Sequence, residues 1–310
     1  MRLKARFYAG AADDRAMLEL AAEKAASYLH WIDLPYRSSS WSFRLPGATT
    51  LFEDDAGSLQ AWASFQTPFW FVDLYARQDE DLPELLAWID TQAAGLLDSP
   101  GGRPIWFTGV FEGDMPRIAA LEKAGYACVS FIENDAWLKV WLARDLAGDQ
   151  PRPVLPPNFI LRPLAGEVEV DAYVALHRHA FGSENMTRGW RLDTLTHPDY
   201  RPELDLVVQA PDGRLAGFCI GWIAQGPDGT LHGQVEPMGV HEDFRRLGLG
   251  RALLYETFRR MAAIGAKLVF VECDGFPVGA DYLNYAAAGF SLRKKFLVYR
   301  KDFAPIEPQK

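Results

Sequence analysis

Cysteine is scarce in this chain, which has only three among its 310 residues: Cys128, Cys219 and Cys273. They are odd in number, far apart and each set among apolar residues, so neither a disulfide framework nor a cysteine metal cluster is expected. Three buried thiols fit a reducing compartment, and we expect a cytoplasmic protein.

Long apolar runs and an excess of basic residues are also missing. No stretch approaches the roughly 18 apolar residues that a membrane span needs, and the N-terminal segment has no signal-peptide core. A formal net charge of -9 argues against nucleic-acid binding, which usually requires a basic face. The six histidines show no metal-ligand spacing with Cys, Asp or Glu. We therefore expect no bound metal, no nucleic acid and no membrane among its partners.

The residues that are abundant indicate two folded domains. Apolar residues make up 49% of the chain and charged residues 24%, a balance typical of a globular protein with a proper core. The length suits two domains of ordinary size. Residues 147–158 contain four prolines, which exclude a helix interior and a central strand. The sequence therefore predicts a linker at 147–158 between domains of residues 1–146 and 159–310.

The two halves show the same predicted order of elements: strand, helices, three meandering strands, helix, strand, helix, strand. The last helix ends similarly in both, with "ALEKAGY" (120–126) and "NYAAAGF" (284–290). In the first half the pattern includes a helix over 14–30 and one long strand over 128–142. This repeat predicts an α+β fold (α/β with a mixed sheet), made of two tandem domains, each with a mixed, mostly antiparallel sheet flanked by helices.

The segment "HEDFRRLGLGRALL" (241–254) carries the clearest chemical signal. It joins the predicted strand 233–240 to the start of a helix, where main-chain N–H groups are free and the helix dipole is positive. Gly248 and Gly250 leave those N–H groups open to a ligand because they have no Cβ. Further positive charge comes from Arg245, Arg246 and Arg251. The segment predicts a site for phosphate or pyrophosphate.

Two familiar phosphate motifs do not match this segment. The Walker A spacing is absent, and the third glycine of a dinucleotide fingerprint would fall on Leu253. Taken alone, the segment is equally compatible with a glycine-softened turn that carries solvated arginines.

The surrounding residues extend the comparison. The string Arg245-x-x-Gly248-x-Gly250 after strand "VEPMGV" resembles the acyl-CoA pyrophosphate motif of GNAT-family N-acetyltransferases. As in that family, a later helix places Tyr285 four residues before "GF", and the likeness covers the whole second half. An Asn common in the family would fall near Val278 and is absent, so its contact to the pantetheine arm is not expected here.

The resemblance implies acetyl-CoA as co-substrate and a set of residues that hold it. The main chain of residues 247–251 would bind the pyrophosphate, and the end of strand 233–240 would pair with the pantetheine arm like an added strand. The thioester would lie where strands 233–240 and 267–274 splay apart. The implied cofactor-binding residues are Met238, Gly239, Val240, Arg245, Arg246, Leu247, Gly248, Leu249, Gly250 and Arg251.

Tyr285 matches the family's usual general acid, and a phenol can protonate a departing thiolate. Its alternative is a core aromatic on an amphipathic helix. His241 follows the splayed strand and could cap the loop or, as a second role, relay protons. His177 and His179 are interpreted as surface or acceptor-cleft residues.

Glu236, on the splayed strand, is the candidate general base or amine anchor. Regular alternation would put it on the same face as Met238 and Val240, whereas Pro237 beside it favours a bulge that would rotate it. A structural hydrogen-bonding role is the alternative. Glu272 and Asp274 on the neighbouring strand are second choices.

The first half has lost the matching features. Its turn, "RQDEDLP" (77–83), is acidic and has no glycine, and the position equivalent to Tyr285 is Leu121. We therefore interpret residues 1–146 as a degenerate GNAT-like domain that does not bind CoA and that braces the second half or walls its acceptor cleft. An aromatic cluster at 28–43 suits either that wall or ordinary core packing.

The leading hypothesis is an N-acetyltransferase that moves an acetyl group from acetyl-CoA to the primary amine of a small molecule in a ternary complex. No Ser-His or Cys-His nucleophile pattern indicates a covalent step. The alternatives are an acyl-CoA sensor without turnover and an enzyme for longer acyl groups. Net acidity favours a cationic amine. Monomer and homodimer both remain open.

Overall fold

The computed structural model describes residues 3–25, 28–132, 136–276 and 279–303. In these ranges the chain forms thirteen β-strands and eight α-helices. The elements of the first half are β1 (Lys4–Phe7), α1 (Ala11–Glu23), α2 (Leu34–Ser38), β2 (Thr49–Glu53), β3 (Leu59–Gln66), β4 (Phe71–Ala76), α3 (Leu82–Leu96), β5 (Ile105–Phe111), α4 (Met115–Lys123), β6 (Ala127–Cys128) and β7 (Leu138–Asp145).

The second half repeats this order after residues 146–159, which form neither helix nor strand. Its elements are β8 (Ile160–Pro163), α5 (Val170–Phe181), α6 (Arg188–Thr196), β9 (Asp205–Gln209), β10 (Leu215–Gln225), β11 (Leu231–Val240), α7 (Leu249–Ile264), β12 (Leu268–Phe276), α8 (Ala280–Ala287) and β13 (Ser291–Asp302). The predicted tandem arrangement with mixed sheets is confirmed.

The strands form one continuous sheet in the order β1-β2-β3-β4-β5-β13-β7-β12-β11-β10-β9-β8, with β6 against β13. Parallel pairing occurs at two equivalent places in the described chain, between β4 and β5 and between β11 and β12. All other described pairs are antiparallel.

The last strand of each half is exchanged with that of the other. β13, from the end of the second half, pairs with β5 of the first half, while β7 of the first half pairs with β12 of the second. β7 and β13 also pair with each other at the centre of the sheet. The division at residues 147–158 thus stays a prediction about the sequence, since the strands of the two halves interleave in space.

Two predicted elements were wrong. The helix expected over 14–30 ends at Glu23, residues 28–30 are not helical, and residues 28–33 bury aromatic and charged side chains between the halves. The strand expected over 128–142 is divided into β6 and β7. Residues 133–135, between these two strands, lie outside the described residues.

Packing holds the two halves together as well as filling each one. One buried cluster joins first-half aromatic residues such as Trp31 and Tyr36 to Tyr173, Trp190 and Trp222 of the second half. Two further clusters each draw most of their residues from one half, and the exchanged strands add Val140 and Leu142 of β7 to one and Leu297 and Tyr299 of β13 to the other. The aromatic cluster predicted at 28–43 is therefore interdomain core. None of the helices in the described ranges is long and apolar enough to cross a membrane.

Candidate functional site

The main feature of the second half is an opening between β11 and β12. These parallel strands pair only over residues 232–234 of β11 and 268–270 of β12. Beyond Gln234, β11 pairs with β10 alone, and β12 beyond Phe270 pairs with β7 alone. Alternate N–H and C=O groups of the outer part of β11 therefore face the opening, as the predicted splay requires.

A bulge in β11 sets which side chains face which way. Cys219 pairs with Met238 and Gly221 with Val235, so Glu236 and Pro237 together oppose one residue of β10. The Glu236 carbonyl accepts a hydrogen bond from Trp222 Nε1 at 2.7 Å.

This bulge shifts the alternation by one residue. Met238 and Val240 pack against the core of the second half, whereas Glu236 lines a cleft on the other face. The regular-strand expectation that Glu236 shares their face is wrong, and the predicted irregularity beside Pro237 is the reason.

The glycine–arginine turn lies at the end of β11. Gly248 has φ 80° and precedes the first residue of α7, and no atom lies within 4 Å of the position that a Cβ would occupy. In the described part of the chain, the main-chain N–H groups of residues 246–251 have no hydrogen-bond partner. Six free donors at a helix start form a ready anion site.

The three arginines of this turn are exposed, and none forms an ion pair with a described residue. Arg245 makes only long hydrogen bonds of 3.4 Å to the carbonyls of Val240 and Ala180. Their positive charge is therefore available to a ligand. His241 caps the turn as predicted, because its Nδ1 accepts from the Asp243 N–H at 3.2 Å.

A cleft of about 370 Å³ lies between the halves, on the Glu236 side of the opening. Both halves line it. The first half contributes His30, Tyr36, Arg37, Pro68, Phe69, Phe71, Trp137 and Lys139, and the second contributes His177, Phe181, Ser183, Asn185, Trp190, Glu236, Pro237 and Glu272. The volume and the mixed aromatic and polar lining suit a small organic ligand.

Charges in this cleft are paired with one exception. Arg37 donates two hydrogen bonds to Asp73, at 2.6 and 2.9 Å, and Lys139 forms an ion pair with Glu272. No hydrogen bond or ion pair to the Glu236 carboxylate is found within the described ranges. Glu236 is thus the carboxylate free to meet a ligand.

The surroundings of Glu236 favour its protonated form near neutral pH. Burial, followed by the negative charges of Asp33 and Glu272, raises its pKa to about 8, while Arg37 and Lys139 oppose the change. Glu272 differs, because Lys139 and His30 outweigh its own burial and lower its pKa. Two carboxylates in one cleft with pKa values moved apart are typical of acid–base sites.

Tyr285 lies on α8 and is 7% exposed. Its ring packs edge-on against Phe290 with centroids 5.6 Å apart. Burial and then the charge of Glu236 raise the pKa of its phenol, so the two groups share one electrostatic environment. The phenol therefore keeps its proton at neutral pH. Val278, where the family's Asn would fall, lies outside the described residues.

The matching cleft of the first half is filled by its own side chains. β4 and β5 share one pair, Phe71 with Phe107, and then part. The carbonyls beyond that point accept hydrogen bonds from Thr108 Oγ1 at 3.0 Å and from the buried Arg117 Nη2 at 2.7 Å. These side chains occupy the edge where the second half offers free groups.

Some residues in or beside the cleft were not predicted from the sequence. His30, Asp33, Arg37 and Lys139 come from the first half and reach the second only through the fold. Their one local signal is a charged or polar side chain inside an apolar segment. The predicted His177 does line the cleft, whereas His179 stacks on His241 near the turn, with centroids 3.8 Å apart.

Known proteins resemble this chain in sequence and in fold. Residues 171–278 match the Acetyltransferase (GNAT) family. Mycothiol acetyltransferase of Thermobispora bispora is 29% identical over 67% of this chain and 69% of its own length. Mycothiol acetyltransferase of Kineococcus radiotolerans is 32% identical over 64% of this chain and 62% of its own. The alignments thus span about two thirds of these relatives.

A solved tandem GNAT protein from the clavulanic acid biosynthesis pathway superposes with a TM-score of 0.64. It covers 99% of this chain and 100% of its own, at 15% identity, so the likeness shows the fold alone. The family match and the curated relatives support an N-acetyltransferase. The second half of this tandem chain therefore carries a GNAT acetyltransferase domain.

Proposed function

We propose that the chain transfers the acetyl group of acetyl-CoA to the primary amine of a small molecule bound in the cleft between its halves. The observation that carries this proposal is the opening between β11 and β12. On one side it leads to the free N–H groups of the glycine turn, and on the other to the free carboxylate of Glu236. A cofactor and an acceptor entering from opposite faces would meet there.

The cofactor side fits a CoA pyrophosphate. The N–H groups of residues 247–251 have no partner among the described residues at the positive end of α7, and Arg245, Arg246 and Arg251 supply positive charge. The outer part of β11, from Met238 through Gly239 to Val240, offers a free edge for the pantetheine amides.

Glu236 and Tyr285 supply the two proton transfers. An acceptor amine arrives mostly as an ammonium ion and must lose a proton before it can attack, and Glu236, whose pKa lies near neutrality, is suited to take it. Tyr285 keeps its proton until a CoA thiolate leaves and then donates it. We assign stabilisation of the oxyanion to a main-chain N–H on the open edge of β11.

The acceptor is proposed to be a cationic amine of modest size. Because Arg37 and Lys139 already have carboxylate partners, Glu236 is the group in the cleft left to accept a hydrogen bond or a proton from an amine. Aromatic side chains form much of the remaining wall and suit a ring or an apolar body. The name of the curated relatives makes a mycothiol-type amine one candidate.

The first half is proposed to wall the acceptor cleft without binding CoA itself. Its turn between β4 and α3 carries Asp79, Glu80 and Asp81 in place of glycines, and Arg117 occupies the edge that a pantetheine arm would need. Position 121 holds a buried leucine, which cannot donate a proton.

A screen of amines with acetyl-CoA tests this proposal. Amino acids, polyamines, aminoglycosides and aminosugar thiols are incubated with the full chain, and both CoA release and the mass of the product are measured. We expect one amine class to gain about 42 Da, which is the mass added when one acetyl group replaces one hydrogen on the amine.

A parallel titration with acetyl-CoA separates the alternatives. Tight acetyl-CoA binding without any acetylated product would favour the sensor, and turnover only with longer acyl-CoA would favour an enzyme for that acyl group. No binding of any acyl-CoA would contradict the assignment of the turn.

A further inference from the structure

A short segment of the first half lies against the point where β11 and β12 part. His30 and Asp33 are both buried there, and His30 Nδ1 lies 3.1 Å from Asp33 Oδ2. The Asp33 carboxylate accepts a hydrogen bond of 2.9 Å from Gln234 on β11, and His30 Nε2 lies 3.5 Å from Glu272 on β12. The segment is therefore in contact with both strands at the apex of the opening.

The two cleft carboxylates stand in equivalent places beyond this apex. Gln234 and Phe270 form the last pair between the strands, and Glu236 and Glu272 each follow two residues later. Both line the cleft. Without the first half, which also supplies β7 beside β12, the two carboxylates would lie at an opening where only β11 keeps a partner strand, β10.

We propose that His30 is a positioning residue supplied by the first half: its ring holds Glu272 directly and Gln234 through Asp33, which fixes Glu272 opposite Glu236 at the mouth of the acceptor cleft. This inference rests on the proposed acetyl transfer, in which Glu236 accepts the amine's proton. The half without a CoA turn then takes part in acceptor chemistry through its contacts.

The contacts of Glu272 support this role. Lys139 on β7 provides its second partner, so the Glu272 carboxylate is held between two first-half side chains. The charged and titratable groups that act on or around Glu236 come from several elements. They are His30, Asp33, Arg37, Lys139 and Glu272, with the phenols of Tyr36, Tyr173 and Tyr285 and the thiol of Cys219.

The test follows the Glu236 carboxyl itself. In the full chain labelled with ¹³C at glutamate side-chain carboxyls, the Glu236 signal is identified by its loss in Glu236→Gln and titrated from pH 5 to 10. With His30→Asn, Glu272 loses a partner, its negative charge is less compensated, and the Glu236 midpoint should rise, by on the order of one pH unit. With Glu272→Gln the midpoint should fall, because a negative neighbour is removed.

The double variant tests whether His30 acts through Glu272. In the Glu272→Gln background, His30→Asn should shift the Glu236 midpoint much less than it does alone. His232→Asn is the matched control, because His232 on β11, like His30, makes a contact between the halves, here with Trp31, yet among the described residues no ion pair joins it to a carboxylate. The Glu236 midpoint in the His232→Asn variant should equal that of the unmodified chain.

An unchanged Glu236 midpoint in His30→Asn, or equal shifts with and without Glu272, would overturn the positioning role. If His30→Asn does not fold, an unchanged midpoint in the isosteric Glu272→Gln variant would overturn it as well. Because the readout is a carboxyl signal, it is obtained even if no amine is acetylated. Failure of the proposed function and failure of this inference are therefore distinguishable.

Discussion

Replacing Glu236 by glutamine should abolish acetyl transfer and at the same time stabilise the folded chain at alkaline pH. Glutamine keeps the shape of the side chain and the hydrogen bond from Trp222 to the main-chain carbonyl. It removes the ionisable carboxyl group, whose negative charge is destabilised in the folded chain by burial and by the charges of Asp33 and Glu272. Loss of activity together with a gain in stability is expected where a functional group is kept at a cost to folding.

The sign and size follow from the pKa of Glu236. Its rise from 4.5 to about 8 means that, between these values, the folded chain retains a proton that the unfolded chain has lost. Stability contributed by this group is therefore complete below pH 4.5 and falls as pH rises to 8. A rise of about 3.5 units corresponds to an upper limit of about 5 kcal/mol. Water in the open cleft screens part of this, so about 1–3 kcal/mol is expected.

Thermal unfolding of both proteins at pH 5 and pH 9 measures the effect. For a chain of this size, about 1–3 kcal/mol corresponds to a rise in Tm of roughly 2–6 °C at pH 9, and the rise should be much smaller at pH 5, close to the ordinary pKa of 4.5. Comparing the two pH values cancels any constant effect of the substitution. Glu80→Gln, an exposed carboxylate in the first half, is the control and should show no such difference. An equal change in Tm at both pH values would refute the assignment of a buried, unpaired carboxylate.

Three further predictions concern other parts of the site. Gly248→Asp should weaken acetyl-CoA binding by roughly 100-fold, as measured by calorimetry, because the new carboxylate repels the phosphates. Gly213→Asp, at an equally open left-handed position, is the control and should bind acetyl-CoA as the unmodified chain does. Tyr285→Phe should lower kcat by roughly 100-fold and leave the affinity for acetyl-CoA unchanged, whereas Tyr282→Phe on the same helix should leave kcat unchanged. Equal loss of kcat and of acetyl-CoA affinity in Tyr285→Phe would indicate that Tyr285 has a packing role. Asp73→Asn should cost about 3–5 kcal/mol in denaturant unfolding because a buried guanidinium loses its partner, and an unchanged midpoint would contradict that burial.

Local patterns predicted the geometry of the glycine–arginine turn and of the strand before it. The spacing of Gly248 and Gly250 at a helix start has a direct physical meaning, because free N–H groups and missing Cβ atoms are properties of adjacent residues. The proline beside Glu236 likewise indicated an irregular strand, and a bulge lies there. Such features depend on neighbours in sequence, and they could be predicted without the fold.

The acceptor side could not be predicted in the same way. His30 and Glu272 are separated by more than 200 positions, and nothing in the residues around His30 indicates that it contacts Glu272. The first-half segment 28–33 also has apolar residues that continue a helical pattern, which led to a helix prediction that was wrong. Burial between the halves decided its conformation, and that contact is absent from any local window.

The exchanged strands were equally hidden from the sequence. β7 and β13 have similar apolar alternation, so either could complete either sheet as far as local pattern is concerned. The pairing partners are determined by the surrounding tertiary structure. β13 pairs with β5 over seven residues, from Phe296 with Phe111 to Asp302 with Ile105. Pairing between distant strands has no counterpart in propensity.

The exchange has a consequence for how the chain is made. β13 follows every other described strand in the sequence, and yet it fills the gap beside β5 in the first half. During synthesis the edge of β5 therefore stays unpaired in the first half until the last strand, β13, has left the ribosome. An uncovered edge invites pairing with other chains, so production at low temperature or with chaperones should favour the soluble protein. Cutting the gene at the proline-rich linker would leave this edge permanently exposed.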